Sequence, residues 1–274
     1  MVRLHGKKNS QRQNGKDISF GKMRRFWIDQ DFLKKETLSI SGDLLHHIRD
    51  VCRQEVGSHF ELLPGDGHAY FVEVVSIGKK SLEVRKLEVR KIPEPSRPWI
   101  HLLLSVPKFA TFESTLEKMC ELGVAEVTPI FSDFSFIKGS DKLSESRWQR
   151  WQKIIVSASQ QSGRGHLLKL HPAVSLKESL KDFNPRPSDL GLFLYEGDAR
   201  RSLKTYLEDV GSSKDSPLEK VWVYVGSEGG FSPAEVGRFN EKGLPSLTLG
   251  DQVLRVETAC VAIASIIKYH FESI

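Results

Sequence analysis

The chain has 274 residues, 39% hydrophobic and 27% charged, which suits two packed domains and speaks against a disordered or fibrous chain. Its longest apolar stretch, Cys260–Ile267 interrupted by Ser265, is too short to span a bilayer, and three scattered cysteines (Cys52, Cys120, Cys260) offer neither a disulfide framework nor a zinc spacing. The net charge of +5 is concentrated in residues 1–25, which hold eight Lys or Arg and one Asp, so a cytoplasmic protein with a basic tail, no membrane and no metal is expected.

Residues 1–22 are polar and without periodicity, the pattern of a disordered tail. From residue 23 to 92 the chain reads as a small β-barrel. The β-rich runs "SHFELL", "AYFVEVVSI" and "SLEVRKLEVRKI" are separated by "PGDG" and "GKK" turns, and "SGDLLHHIRDVCR" adds a short helix capped by Ser41 or Asp43. "KIPEPSRP" holds three prolines in eight residues and marks a linker.

Residues 99–274 change rhythm to strand, helix, strand. Buried strands are expected at 99–106, 124–132, 190–196, 220–226 and 245–250, with a shorter one at 168–174. Helices are expected at 112–123 (closed by Gly123), 144–163 (Ser144 as N-cap), 175–183, 232–243 (Ser232 as N-cap, Pro233 at N1) and 255–271. The alternation predicts an α/β fold with a largely parallel sheet covered on both faces.

Ligands of such sheets sit beyond the strands' carboxyl ends. Two glycine-bearing stretches fall there: "VGSEGGFSPAEV" (225–236) and "LGDQVLRVETA" (249–259). Neither is a dinucleotide fingerprint or a P-loop, and Glu228 inside the first turn would repel a phosphate. No G-x-S-x-G elbow or H-E-x-x-H motif occurs, and His101, His166 and His171 lie apart, as structural histidines do. In the second stretch Arg255 opens a helix, where a cation opposes the dipole. That placement favours pairing with Glu257 or a hold on substrate.

Together these stretches closely resemble the C-terminal motifs of the SPOUT RNA methyltransferases, in particular the RsmE family, which methylates N3 of a uridine in small-subunit (16S) ribosomal RNA. "RRFWI", "HHIRDVCRQEVGSHFELLPGDG" with Arg53, "LLLSVPKFATFESTLEKMCELGVAEVTPI" and "RWQKIIVSASQQSGR" resemble further family segments in order, so the likeness covers nearly everything after residue 22. It implies a SPOUT-type sheet with a C-terminal trefoil knot, a PUA-like N-terminal barrel, a homodimer formed through the knotted domain, and S-adenosyl-L-methionine as cofactor. It also implies a cofactor wall of Gly226, Ser227, Glu228, Gly229 and Gly230. A second wall comprises Leu249, Gly250, Val253, Leu254 and Arg255, with Leu194 and Glu196 contributing from the preceding strand end and Thr258 as a further cofactor contact.

Arg255 and Arg164 are the catalytic candidates by position, with Glu257 as base or as a brace for Arg255, and Arg24, Arg25, Arg53, Lys108 and Lys138 are the expected RNA contacts. Two positions depart from the family pattern. Ser227 stands where proline is usual, which is expected only to loosen the turn. Phe134 stands where an arginine is usual, leaving Lys138 to compensate. Two other readings remain: a SPOUT enzyme acting on another RNA position, and a non-catalytic ribosome-assembly factor.

Overall fold

The computed structural model describes residues 23–28, 36–197, 201–213 and 218–272; the basic tail expected at 1–22 lies outside them. Two compact units divide the chain. The first takes the segments up to Leu63 and Ala69–Arg90, the second Pro64–His68 and everything from Lys91 onward. Sequence alone placed Pro64–His68 with the first unit. The Gly67 amide, however, donates to the Gly165 carbonyl at 3.2 Å, a bond internal to the second.

The first unit is a five-stranded sheet in the order β1-β3-β4-β5-β2. Its strands are β1 (Arg25–Trp27), β2 (Thr37–Ile40), β3 (His59–Leu63), β4 (His68–Ile77) and β5 (Leu82–Lys91). Strand β1 runs parallel to β3, and β3 antiparallel to β4. The expected short helix is α1 (Gly42–His46), which widens into a π turn over His47–Val51. Alternation along β2 buries Leu38 and Ile40 against Phe26, Ile48, Phe60, Leu62, Val72, Leu82 and Val84. Glu61, between Phe60 and Leu62 in β3 and so facing the other side of the strand, is also buried. Burial opposes its charge, yet bonds from Arg90 (2.6 and 2.9 Å) and Arg25 (3.0 Å) hold its carboxyl below the usual carboxylate range.

The second unit is a sheet in the order β11-β13-β10-β12-β6-β7-β8, with β9 also paired to β7. Its strands are β6 (Trp99–Ser105), β7 (Glu126–Phe131), β8 (Lys169–Leu170), β9 (Val174–Ser175), β10 (Asp189–Leu194), β11 (Arg201–Ser202), β12 (Lys220–Val225) and β13 (Ser246–Thr248). The registered pairs are parallel, as the strand-helix alternation predicts. Among the described residues six α-helices flank them: α2 (Phe109–Glu121), α3 (Glu145–Ser162), α4 (Leu176–Asp182), α5 (Leu203–Ser213), α6 (Pro233–Glu241) and α7 (Val256–His270).

Period-two alternation sends neighbouring strand residues into different cores. Leu102, Leu104, Val223 and Val225 pack with Phe112, Trp151, Cys260 and Ile263 of α2, α3 and α7. Leu103, Phe193 and Tyr224 pack with Leu180 and Phe239 of α4 and α6. Both faces are therefore covered, which explains the near-continuous apolar runs of β6 and β12.

The caps expected in the second unit form, whereas Ser41 stands at the N-cap of α1 without a side-chain capping bond. The Ser144 side chain accepts from the Arg147 amide, and Gly163 ends α3 at φ 75°. Ser232 and Glu235 close a capping box with Pro233 at N1 of α6. Helix α5 was not expected, although Leu203, Tyr206, Leu207 and Val210 have helical spacing. Among the described residues no helix is long and apolar enough to cross a membrane.

Candidate active site

Parallel strands deliver their carboxyl ends to one edge, so the loops after β13, β10, β12, β6 and β7 lie side by side in that order. Between the first two opens a small cleft of about 70 Å³. It is lined by Leu194, Tyr195 and Glu196 from β10, by the whole run Leu247–Leu254, and by Ala259. Sequence-named Leu194, Glu196, Leu249, Gly250, Val253 and Leu254 are thus brought together. Gly250 bends the run at φ 133°, a conformation that side chains resist. Its amide donates to Thr248 Oγ1 at 3.1 Å, and the Thr248 hydroxyl donates back to the Gly250 carbonyl at 2.8 Å.

The glycine turn after β12 stands beside this cleft without lining it. Its tightness dictates its composition. A Cβ on Gly226 would sit 2.7 Å from the Gly230 Cα, and Gly230 itself has φ 67°. The Gly230 amide donates to the Ser227 carbonyl at 2.9 Å, closing the turn.

Glu228 is exposed, and its carboxylate accepts from the Lys108 amide at 3.2 Å. It ties the turns after β12 and β6 together. Ser227 is buried and donates to the Phe134 carbonyl at 2.6 Å, which corrects the expectation that serine merely loosens the turn. It fastens the turn to the loop after β7, a bond proline has no donor to make.

Arg255 is the N-cap residue of α7 and directly follows the cleft-lining run. Its side chain is exposed, with no ion pair or side-chain hydrogen bond among the described residues. The expected pairing with Glu257 does not form; Glu257 is half-buried in the first turn of α7, and Thr258 beside it is exposed.

Arg164 is elsewhere. Its guanidinium donates to the carbonyls of Cys120 (3.1 Å), Val124 (2.9 Å) and His166 (3.1 Å), and burial lowers its pKa. It satisfies backbone at the end of α2 and is absent from the cleft. Among the expected RNA contacts, Arg25 is spent on Glu61, and Lys138 donates to the Asp133 carbonyl. Arg24, Arg53 and Lys108 are exposed.

The strands' amino ends hold a cluster that sequence spacing did not reveal. His101 stacks on His171 with ring centroids 5.1 Å apart. Glu126 takes His171 Nε2 at 2.7 Å on one oxygen and the Lys220 ammonium at 2.8 Å on the other. Burial pushes His101 down to about 3, while Lys220 and the two histidines hold Glu126 near 2 against its own burial. The three donors have the composition of a metal site. Two nearly parallel imidazoles do not aim their in-plane lone pairs at one ion, however, and the lysine already neutralises the carboxylate.

The family described as RNA methyltransferase domain matches residues 94–268, and the RNA methyltransferase PUA domain matches 40–87. Ribosomal RNA small subunit methyltransferase E of Helicobacter pylori strain J99 is 32% identical over 234 residues, 85% of this chain and 95% of that protein. The chain belongs to this methyltransferase family. The Bacillus subtilis member is 27% identical over 256 residues, 91% of this chain and 98% of that protein. Among solved structures, the Neisseria gonorrhoeae member bound to S-adenosyl methionine superposes with TM-score 0.76 at 26% identity, over 90% of this chain and 97% of that one. A methyltransferase of Legionella pneumophila with the same bound cofactor gives TM-score 0.79 at 26% identity, with the same coverage. The matched segments therefore fall in both units.

Proposed function

We propose that this protein is an S-adenosyl-L-methionine-dependent methyltransferase acting on N3 of a uridine in small-subunit (16S) ribosomal RNA. The observation that carries the reading is the cleft. It lies where a parallel sheet binds ligands, in a chain whose relatives are ribosomal RNA methyltransferases, one of them close in structure with that cofactor bound, as is the Legionella methyltransferase.

The cleft suits the cofactor chemically. Leu194, Leu249, Val253 and Leu254 supply apolar surface for a purine, and Glu196 and Asp251 supply negative charge for a ligand with ammonium and sulfonium centres. Gly226–Gly230 form the neighbouring wall, where a side chain on Gly226 has no room. When bound, the cofactor supplies an electrophilic methyl group on sulfur.

The chain's own residues then govern the base. Uracil N3 must lose its proton before it acts as a nucleophile, and the departing proton leaves charge on O2 and O4. Arg255, exposed and uncommitted at the cleft's edge, is the group to stabilise that charge. Glu257, two residues on, is the candidate proton acceptor. Because N3 is on the pairing edge, the uridine must be unpaired or turned out of a helix. Arg24, Arg53 and Lys108 are the phosphate contacts we retain.

We also infer a C-terminal trefoil knot, closure of the N-terminal sheet into a PUA-like barrel, and a homodimer through the knotted domain. The internal position of β13, made late in the chain yet lying between β10 and β11, supports the knot. Exposed Ile266 and Tyr269 on α7 support a covered face.

The test is methyl transfer from labelled cofactor to deproteinised 16S rRNA and to assembled small subunits, with mass mapping of the product. A methyl on a uridine N3 supports the reading. A methyl on tRNA, on another base or on ribose would replace the substrate assignment. Binding without transfer would make the protein an assembly factor.

A further inference from the structure

The loop after β7 exposes two aromatic rings beside the glycine turn, where burial would be the ordinary fate of such side chains. Phe134 is 50% exposed and Phe136 53%. Neither is loose. The Phe134 backbone is held by the Ser227 hydroxyl at 2.6 Å, and a Cβ on Gly229 would stand 2.8 Å from the Phe134 Cβ, so the ring's root lies against the turn.

Asp133 accepts from the Ser232 hydroxyl on its side chain and donates its amide to Glu235 at 2.8 Å. Ser135 is buried and donates to the Ile137 carbonyl at 2.7 Å. The Phe136 amide donates to the Val106 carbonyl at 2.7 Å, and its ring meets the edge of Phe109 at 5.4 Å. Arg147 in turn covers Phe109, with its guanidinium carbon 4.4 Å from the ring centre.

Rigid, half-exposed rings next to exposed Lys108 combine a stacking face with positive charge, as single-stranded nucleic-acid sites do. The strand order puts them on the side of the glycine turn away from the cleft, two strands from β12. From β10, which borders the cleft, to β7 is three strand spacings, about 14 Å at about 4.8 Å each. Phe134 packs directly against the glycine turn that lies between, so RNA leaving the cleft crosses that turn to reach the rings.

We propose that Phe134 and Phe136 form a stacking platform for an unpaired nucleobase that flanks the methylated uridine in the substrate RNA. The proposal rests on the methyltransferase reading and adds to it the residues that position the strand. Stacking accepts any base, so the platform orients the RNA, while selection of uridine stays with the cleft.

The experiment measures binding of the full-length protein to a short uridine-containing single-stranded RNA and to the same RNA with abasic sites flanking the uridine. Phe134→Ala and Phe136→Ala are each expected to weaken binding to the intact RNA by roughly tenfold. Phe134→Trp should restore it, and the abasic RNA should bind wild type as weakly as Phe134→Ala binds the intact one. Equal affinity of wild type and both alanine variants, or an equal loss on intact and abasic RNA, overturns the platform. A changed oligomeric state of Phe134→Ala in light scattering, with RNA affinity per chain unaltered, also overturns it and gives the rings to a second copy. S-adenosylhomocysteine binding by wild type is measured alongside. Its absence would sink the methyltransferase reading, while loss of the base-dependent contrast alone would sink only the platform.

Discussion

The two ends of the second unit's sheet use the same strands in opposite ways. At the amino ends, Glu126, Lys220 and His171 satisfy one another and His101 is held neutral. At the carboxyl ends, Arg255 stands exposed beside the cleft, and the rings of Phe134 and Phe136 stand exposed across the glycine turn from it. Charged and aromatic groups occur at both ends, so residue type does not separate structure from function. What separates them is whether neighbours within the fold have already used those groups. The two ends are about 20 Å apart along the seven residues of β6, so substitutions at one should leave the other alone.

The largest expected effect is at Arg255. Arg255→Ala should lower methyl transfer by at least about a hundredfold, the scale for removing one charge-stabilising donor. Thermal unfolding should be unchanged, because the side chain has no partner to lose among the described residues. Near-normal turnover would remove Arg255 from the chemistry.

Next is Gly226→Val. Its Cβ would meet the Gly230 Cα at 2.7 Å, and overpacking of this kind costs about 1–3 kcal/mol. The turn must deform. Calorimetry should find S-adenosylhomocysteine affinity down by roughly tenfold or more while circular dichroism still shows a folded chain. Unaltered affinity would mean that the glycine wall does not shape the pocket.

These two predictions differ in how well the sequence announced them. The parallel architecture was legible because β6 and β12 are apolar on both faces, and the cleft because glycines and polar residues follow strands at a fixed place. Arg164 was misread. Sequence records that an arginine follows α3, but not that the carbonyls of Cys120, Val124 and His166 converge on it. The His101–His171 pairing was invisible for the same reason: seventy residues separate partners that only the β6–β7–β8 order joins. Helix α5 was missed: Leu203, Tyr206, Leu207 and Val210 have helical spacing, but the polar residues between them masked it. The role of Ser227 required the position of the Phe134 carbonyl, which no local pattern encodes.

At the amino ends, Glu126→Gln should leave methyl transfer intact and cost about 2–3 kcal/mol of stability at neutral pH. The native carboxyl titrates near 2, below its unfolded value near 4.5. Its contribution is therefore present above about pH 4.5 and is lost as the pH falls toward 2. Denaturant titrations at pH 7 and pH 3 should show the variant's deficit shrinking on acidification. A constant deficit would mean that the loss is one of packing and not of charge.

His101 gives the smallest effect at neutral pH and the sharpest test of the contrast. Its native pKa is about 3 and its unfolded value near 6.5, so below pH 6.5 the unfolded chain binds a proton that the native chain refuses. Stability must fall with acidification through that interval, by about 2 kcal/mol between pH 6.5 and 5 for a group so displaced. His101→Gln cannot take up that proton, so it should flatten this limb and leave the pH 7 to 8 region little changed beyond a constant packing cost. If wild type and variant lose stability in parallel from pH 6.5 to 5, the imidazole is protonated in the native protein. The amino end would then carry a charge that its neighbours have not answered.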